Sequence, residues 1–382
     1  MRAMGSYAYY RLPYTDRYTI IESERQPIIL SSVEDIGKER GFCIAPFDTT
    51  THGRRTSSNP ILIIRPDRVM TREIVTQDYD DDEEYADMVL STPDEAYHTA
   101  FEKYHDAVAC GTFGKIVLAR HKELETKGAM TRERHEALFI RACRIFPRLM
   151  IMLFSTPESG TWIVASPEIL LKGRGEVFHT VALAGTMAYK EGYAEWSMKN
   201  KTEQNIVEQY IERTIRPLAT EIIKDGPYTV RAGNLVHLRT DFRFRMTTGA
   251  PHGEGGHGDC RHTGQEGTGP DDRQTTEPGA AIGKLVGRLH PTPAVCGLPK
   301  EVARDFIMAN EGQERKYYSG FAGPVGINGE THLYVSLRCA ELGDGTITAY
   351  AGGGIMPEST CTAEWRETEM KMYTILTSLY AD

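Results

Sequence analysis

AGGGIMPESTCTAEWRETEMKM, residues 351–372, is the stretch from which the rest of the sequence is read. It opens on Gly352, Gly353 and Gly354 and continues into a helix-forming segment carrying Glu364, Glu367 and Lys371. Those three stand at i, i+3 and i+7, so a helix brings them to one face. A glycine turn lets backbone N–H groups approach an anion, because no Cβ blocks the way. Two carboxylates one helical turn apart are hard oxygen ligands of the kind Mg2+ takes. The stretch therefore offers an anion cradle beside a metal-binding face. The competing reading is a hairpin glycine run ahead of a solvated amphipathic helix. The remainder of the chain decides between them.

Working outward, residues 319–327, 331–341 and 346–352 read as a last β layer ahead of the terminal helix. Residues 280–289 and 299–311 read as helices, separated by the breaker His290-Pro291-Thr292-Pro293. The clearest helix spans 200–223, where Ile206, Val207, Tyr210, Ile211, Ile215, Leu218 and Ile222 follow a 3.6-residue period. Between these helices, 247–280 is poor in apolar residues and dense in Gly, His, Thr and Asp, which predicts a flexible loop. His252, His257, Cys260 and His262 lie in it at spacings that match no standard zinc pattern.

Further upstream, 114–120 reads as a buried strand, and 132–146 as a helix that ends before Pro147. Residues 150–154 and 161–165 form a strand pair, and two more strands follow at 169–171 and 181–186. A helix at 97–110 is introduced by Ser91-Thr92-Pro93-Asp94-Glu95, which supplies a cap and early acids. Residues 1–94 read as a β-rich N-terminal lobe with short strands at 7–12, 18–21, 41–46 and 61–64. Its acidic run at 78–84 is a solvated linker or helix start. Strands outnumber helices and come as consecutive hairpins, so the class is α+β with a large antiparallel sheet.

The chain has 382 residues, with Lys+Arg 44 against Asp+Glu 53 for a net charge of -9. That length builds one large domain or two small ones. A mildly acidic chain lacks the basic footprint of a nucleic-acid binder. The 7 cysteines are scattered without a CxxC pair, which fits a reducing compartment. The opening MRAMGSYAYYRLPYTDRYTI lacks the apolar core of a signal peptide, and no run approaches a membrane span. A cytoplasmic monomer is expected.

Four positions carry the chemistry. Lys115 heads an apolar strand after Gly114; desolvation would lower its pKa and make it a base, whereas an edge lysine would only protect the strand end. Glu168 follows Ser-Pro and adjoins Ile-Leu-Leu, which would hold it protonated as a general acid; a helix-start glutamate after proline is the alternative. Glu203 falls on the apolar side of the long helix, with Glu208 and Glu212 nearer its polar side. An inward glutamate needs a metal or a salt-bridge partner. Arg338 lies in the alternating run 334–340, on the face of Tyr334 and Ser336. It suits a bidentate grip on a carboxylate or a structural ion pair.

The joint order of motifs is more specific than any one of them. KIVLAR stands at 115–120, SPEILL at 166–171, LAGT at 183–186, KNKTE at 199–203, LHPTPA at 289–294, SLRCA at 336–340, AGGGI at 351–355 and EWRET at 364–368. This order resembles the chorismate-utilising enzymes, which include isochorismate, salicylate, anthranilate and aminodeoxychorismate synthases. The resemblance implies a single domain (core 95–382) whose large antiparallel sheets form a two-lobed sandwich with helices packed on the outside. Within the family, a lysine in place of glutamine at 115 resembles the water-using members. LAGT lacks the nucleophilic lysine of many aminodeoxychorismate synthases.

The resemblance thus implies an isomerase, an isochorismate synthase that adds water at C2 of chorismate and loses the C4 hydroxyl, feeding menaquinone synthesis. A salicylate synthase, which adds pyruvate elimination, is the alternative. By the same resemblance Lys115 activates water and Glu168 protonates the departing hydroxyl. Glu203 and Glu367 bind Mg2+, with Glu364 assisting. Arg338 and Lys371 hold substrate carboxylate, helped by backbone near Gly185, Thr186 and Gly352, while Tyr318 and His290 line the pocket. Gln204-Asn205 departs from the histidine-containing pair often found after the metal glutamate.

Overall fold

The structure is a computed structural model and describes residues 5–50, 59–74, 91–191, 194–246 and 278–379. The acidic run 78–84 and the histidines expected at 252, 257 and 262 lie outside the described residues. Short aromatic and β-branched runs bounded by turns make the first strands: β1 (Ser6–Arg11), β2 (Arg17–Ser23), β3 (Ile28–Leu30), β4 (Gly41–Ala45), β5 (Ile61–Ile64) and β6 (Arg68–Glu73). Helix α1 (Glu95–Ala109) leads to β7 (Lys115–Glu125), and α2 (Arg132–Ile145) to two hairpins, β8 (Met150–Thr156) with β9 (Gly160–Ser166) and β10 (Ile169–Arg174) with β11 (Val177–Ala188). Then come α3 (Met198–Ile215), β12 (Ala219–Ala232), β13 (Leu235–Met246), α4 (Pro278–Leu289), β14 (Gly297–Leu298) and α5 (Lys300–Asn310). The last layer is β15 (Phe321–Val325), β16 (Glu330–Val335), β17 (Cys339–Gly343) and β18 (Thr346–Ile355), closed by α6 (Cys361–Leu379).

These strands pair into two nine-stranded sheets, ordered β14-β7-β18-β17-β9-β8-β1-β2-β6 and β12-β13-β11-β10-β16-β15-β4-β5-β3. Every ladder between them is antiparallel. The α+β class and the large antiparallel sheets are as the sequence predicts. The strands of the first 74 residues do not stay together: β1, β2 and β6 extend one sheet, while β3, β4 and β5 extend the other.

Period-two alternation assigns each side chain its layer. In β8, Met150, Met152 and Phe154 join Trp162, Phe42 and Tyr350 in a core between the sheets. Ile151 and Leu153 of the same strand face the other way, into a core capped by Phe139 and Cys143 of α2 and by Met372 and Ile375 of α6. The second sheet is covered on its far face by Val207 and Ile211 of α3 and by Leu285 and Leu289 of α4. Two sheets stacked face to face, each with an outer helical layer, bury both faces of most strands. No helix among the described residues is long and apolar enough to cross a membrane.

Three expectations are corrected. The long helix ends at Ile215, two residues before Pro217, and 219–223 belong to β12. Leu218 and Ile222 pack against the same core as α3 but from beyond it, so their burial mimics a helical period. Residues 331–341 are two strands, not one. The chain leaves one sheet after Val335 and enters the other at Cys339, with Arg338 between them at φ 49. Arg338 therefore sits on a crossing, where strand alternation does not govern its direction. Finally, Glu208 is buried against Lys224 and Thr240, not turned to solvent.

One buried cation ties the first strand to α2. The Arg11 guanidinium donates to the Pro147 and Phe146 carbonyls, each at 2.5 Å, and to the Cys143 and Leu12 carbonyls at 3.2 Å. It thereby takes up the Cys143 carbonyl near the end of α2 and adds a second donor to the Phe146 and Pro147 carbonyls, which also accept from the Leu149 and Tyr14 N–H groups. Replacing Arg11 with Met keeps the stem but removes the charged donor from four carbonyls and leaves the buried Cys143 oxygen without one, and should cost about 3 kcal/mol. Chemical denaturation read by tryptophan fluorescence should show a lower midpoint for Arg11→Met; an unshifted midpoint refutes the tether.

Candidate active site

The glycine run of residues 352–354 is not a turn. It lies inside β18 and pairs with β7, Gly352 opposite Ala119, Gly353 opposite Leu118 and Gly354 opposite Val117. None of the three adopts a positive φ. What they supply is room. A Cβ on Gly352 would stand 2.8 Å from the Tyr318 hydroxyl, and one on Gly353 would stand 2.8 Å from Glu364 Oε2. On Gly354 it would meet Glu203 Oε1 at 2.5 Å and Lys115 Cε at 2.7 Å. Charged side chains from three elements thus close over a strip of bare backbone.

Three lysine–glutamate pairs surround that strip. Lys115, fully buried at the start of β7, places Nζ 2.7 Å from Glu203 Oε1 without a well-directed hydrogen bond. Lys371 pairs with Glu367 at 2.7 Å and donates to the Gly352 carbonyl at 2.8 Å. Lys199, on the first turn of α3, donates to Glu364 Oε1. Burial pushes the Glu203 carboxyl up, but Lys115, then Lys199 and Lys371, outweigh it, so the net shift is below the ordinary value. Glu364 moves the other way: burial and the adjacent Glu367 raise it against the opposing pull of Lys199 and Ser359.

The opposite wall is built where the chain changes sheets. Pro167 and Glu168 carry it from β9 to β10, and residues 336–338 carry it from β16 to β17. The two crossings are bonded to each other: the Val335 N–H donates to the Glu168 carbonyl at 3.0 Å, the Ser166 hydroxyl to the Val335 carbonyl at 2.6 Å, and the Ala165 N–H to the Arg338 carbonyl at 3.0 Å. Glu168 and Arg338 thus enter the cavity side by side. The Glu168 carboxyl accepts from Thr292 at 3.3 Å and is buried. Burial raises it to about 7, although Lys115, Thr292, Lys371 and Arg338 all pull it down.

Arg338 donates to His237 Nε2 at 2.6 Å, and His237 Nδ1 lies 2.9 Å from the Gly185 carbonyl. An Nδ1–H donated to that carbonyl leaves Nε2 free to accept. Burial, then Arg338 and Lys371, hold His237 well below its usual range, so it stays neutral beside the guanidinium. Burial also lowers Arg338 to about 10, opposed by Glu367, Tyr318 and Glu168. Gly185 has φ 68 at a bulge in β11, and a Cβ there would lie 3.1 Å from Asn200 Cβ at the start of α3. A side chain at 185 would push away the helix that carries Lys199 and Glu203.

Of the residues predicted from sequence, Glu168, Gly185, Thr186, Glu203, Tyr318, Arg338, Gly352 and Lys371 line one cavity between the two sheets. Lys115 adjoins it through Glu203, Glu367 through Lys371, and Glu364 beneath Gly353. His290 is the exception. Its Nε2 faces the Phe47 carbonyl at 3.0 Å and its ring packs on Phe321, outside the cavity lining. Thr292, two residues on, is the part of that breaker that touches the site. Sequence reasoning missed His237, Thr292, Lys199 and Ser359. Only Lys199 had a usable signal, four residues before Glu203 on the same helix.

Among the described residues, no three acidic, histidine or cysteine side chains converge into a ready-made metal cage. The donor set nevertheless fits a hard divalent cation. Glu203 and Glu364 meet adjacent glycines, Glu367 lies close enough to shift Glu364, and Glu364 Oε2 is buried with no hydrogen-bond partner. A bare buried carboxylate oxygen is costly unless something positive takes it up.

A family model described as chorismate binding enzyme matches residues 57–251 and 273–380. Isochorismate synthase EntC of Escherichia coli (strain K12) is 27% identical over 229 residues, which are 57% of this chain and 51% of EntC. The chain thus spans about half the length of that relative. Among solved structures, DhbC from Bacillus anthracis superposes with a TM-score of 0.74 at 22% identity, covering 98% of this chain and 96% of DhbC. MenF, the menaquinone-specific isochorismate synthase from Escherichia coli, gives 0.72 at 19% identity, covering 100% and 90%. These superpositions show a shared fold with the paired sheets and outer helices described above. With the family model spanning most of its length, this chain belongs to the chorismate binding enzyme family.

Proposed function

We propose that the protein is an isochorismate synthase, adding water at C2 of chorismate and releasing the C4 hydroxyl, with Mg2+ as cofactor. The observation that carries this is one cavity lined by a buried, neutral-leaning Glu168 and by Glu203, whose carboxylate pairs with the buried Lys115 just behind it. Lys115 takes a proton from the incoming water, a poor nucleophile that needs a base. Glu168, held up to about 7 by burial, gives its proton to the departing hydroxyl. One water enters and one leaves while the ring diene shifts, so the net change is an isomerisation. Return of the Lys115 proton to Glu168 resets the pair.

Arg338 and Lys371 are positioned to receive carboxylates of a dianion, Arg338 held in place by His237 and Lys371 by the Gly352 carbonyl. Glu203, Glu364 and Glu367 would hold the cation, which when bound neutralises substrate carboxylate charge at the ring. Enclosure between two sheets keeps bulk water from these charges and strengthens each contact. Menaquinone synthesis, the role named for MenF, is the proposed destination of the product.

Incubation with chorismate and Mg2+ should accumulate isochorismate, followed by chromatography and absorbance. Salicylate with pyruvate would instead mark the longer reaction, and turnover only with ammonia or glutamine would refute water addition. Lys115→Gln should lower kcat by about 10²- to 10⁴-fold while chorismate still binds; wild-type turnover in that variant removes the base. Because Glu168 must be protonated to act, and its folded value lies near 7, the protonated fraction shrinks as pH rises through that value. The ratio kcat/KM should therefore fall between about pH 6 and about 8.5. A profile that stays flat or climbs throughout that window excludes the pairing of a protonated Glu168 with an already unprotonated Lys115.

A further inference from the structure

The two oxygens of Glu364 have different surroundings. Oε1 accepts from Lys199 Nζ and, at 2.7 Å, from the Ser359 hydroxyl. Oε2 has no hydrogen-bond partner at all, although the side chain is almost wholly buried, and it lies beneath the bare backbone of Gly353. A carboxylate that turns freely would share its donors between both oxygens. This one cannot, because Ser359 is itself pinned. The Met356 N–H donates to Ser359 Oγ at 3.0 Å, and the Ser359 N–H donates to the Met356 carbonyl at 3.0 Å. The reciprocal pair cinches the turn between β18 and α6. Glu364 stands on the first turn of α6, its N–H bonded to the Thr360 carbonyl at 3.0 Å. The geometry of that turn fixes which carboxylate oxygen is engaged and which is left bare.

We infer that Ser359 is a positioning residue for the divalent cation: with Lys199 it occupies Oε1 of Glu364, so that Oε2 alone is presented as a ligand. Ser359 does not touch the cation. It acts through Glu364, as partners of metal-ligating carboxylates do elsewhere, where their loss costs about 10- to 100-fold in metal affinity. The inference rests on the reading of Glu364 as a cation ligand given above. It adds a residue from the PEST segment 357–360, which no role has yet absorbed, and it ties metal affinity to the shape of one four-residue turn. Ser359→Ala is the informative change because it removes a donor without altering the charge of the site.

The test is direct binding of Mn2+ to the full chain in the absence of substrate, read by calorimetry and by the loss of free-ion EPR signal. Wild type, Ser359→Ala, Ser359→Thr and Glu364→Gln are compared, with thermal melts of each. Ser359→Ala should weaken Mn2+ at least about tenfold with an unchanged stoichiometry, and Ser359→Thr, which retains the hydroxyl, should restore most of the affinity. Glu364→Gln should weaken binding at least as much. If Glu364→Gln weakens Mn2+ but Ser359→Ala does not, the positioning role is wrong and the ligand reading stands. If Glu364→Gln leaves Mn2+ binding untouched, the ligand reading itself falls and takes the inference with it. Should Ser359→Ala melt early, Ser359→Cys, nearly isosteric and a poor donor, replaces it with the same expectation.

Discussion

The site depends on two places where the chain passes from one sheet to the other, and on the hydrogen bonds that hold those passages together. A sandwich of two antiparallel sheets has no natural reason to point charge into the space between them; its inward positions are taken by Phe42, Phe154, Trp162 and their neighbours. At the crossings, strand alternation lapses, and a side chain is free to enter that space from the end. Glu168 enters from one crossing and Arg338 from the other, and backbone bonds between Val335 and Glu168 and between Ala165 and Arg338 fix their separation. The left-handed backbone at Arg338 is what such a passage requires of a residue that has a Cβ.

Against that wall stands a floor of compensated charge. Three acids and three lysines meet over backbone stripped of side chains, and each carboxylate is matched by an ammonium. Burying an unpaired carboxylate is prohibitive, and burying a pair still costs desolvation. The arrangement is tolerable because the charges are matched one to one and because partners such as Ser359 and the Gly352 carbonyl add hydrogen bonds, leaving Glu364 Oε2 bare. It is also responsive. A buried site at balance is sensitive to any added ion, which is the property a binding site for a charged ligand needs.

Much of this was legible in the sequence, for identifiable reasons. Strand and helix identity followed from period and from turn residues, and the positions of Lys115, Glu168, Glu203 and Lys371 followed from motif order. The failures are equally specific. Leu218 and Ile222 are buried by the same core that holds α3, so they prolonged its apparent period past Pro217. The run 334–340 reads as one strand because both of its halves are strands; the break lies in backbone dihedrals that residue type does not encode. The glycines at 352–354 read as a turn because glycine permits one, whereas here the requirement is empty space above a strand. His237 and Ser359 could not be found, since their partners arrive from distant strands and from a turn whose closure is a tertiary fact.

Dividing the first 74 residues between both sheets has a kinetic consequence. β1 pairs with β2 nearby in sequence but finds its other neighbour only when β8 exists, and β4, paired with β5, finds its other neighbour only when β15 does. Neither half of the sandwich is a local product of the chain. During synthesis the early strands must wait, edges open, until segments made much later arrive to cover them, and the loops closed by those pairings are long. Assembly of the cavity is accordingly one of the final events of folding, and a ribosome-bound chain halted before β15 leaves one edge of β4 open.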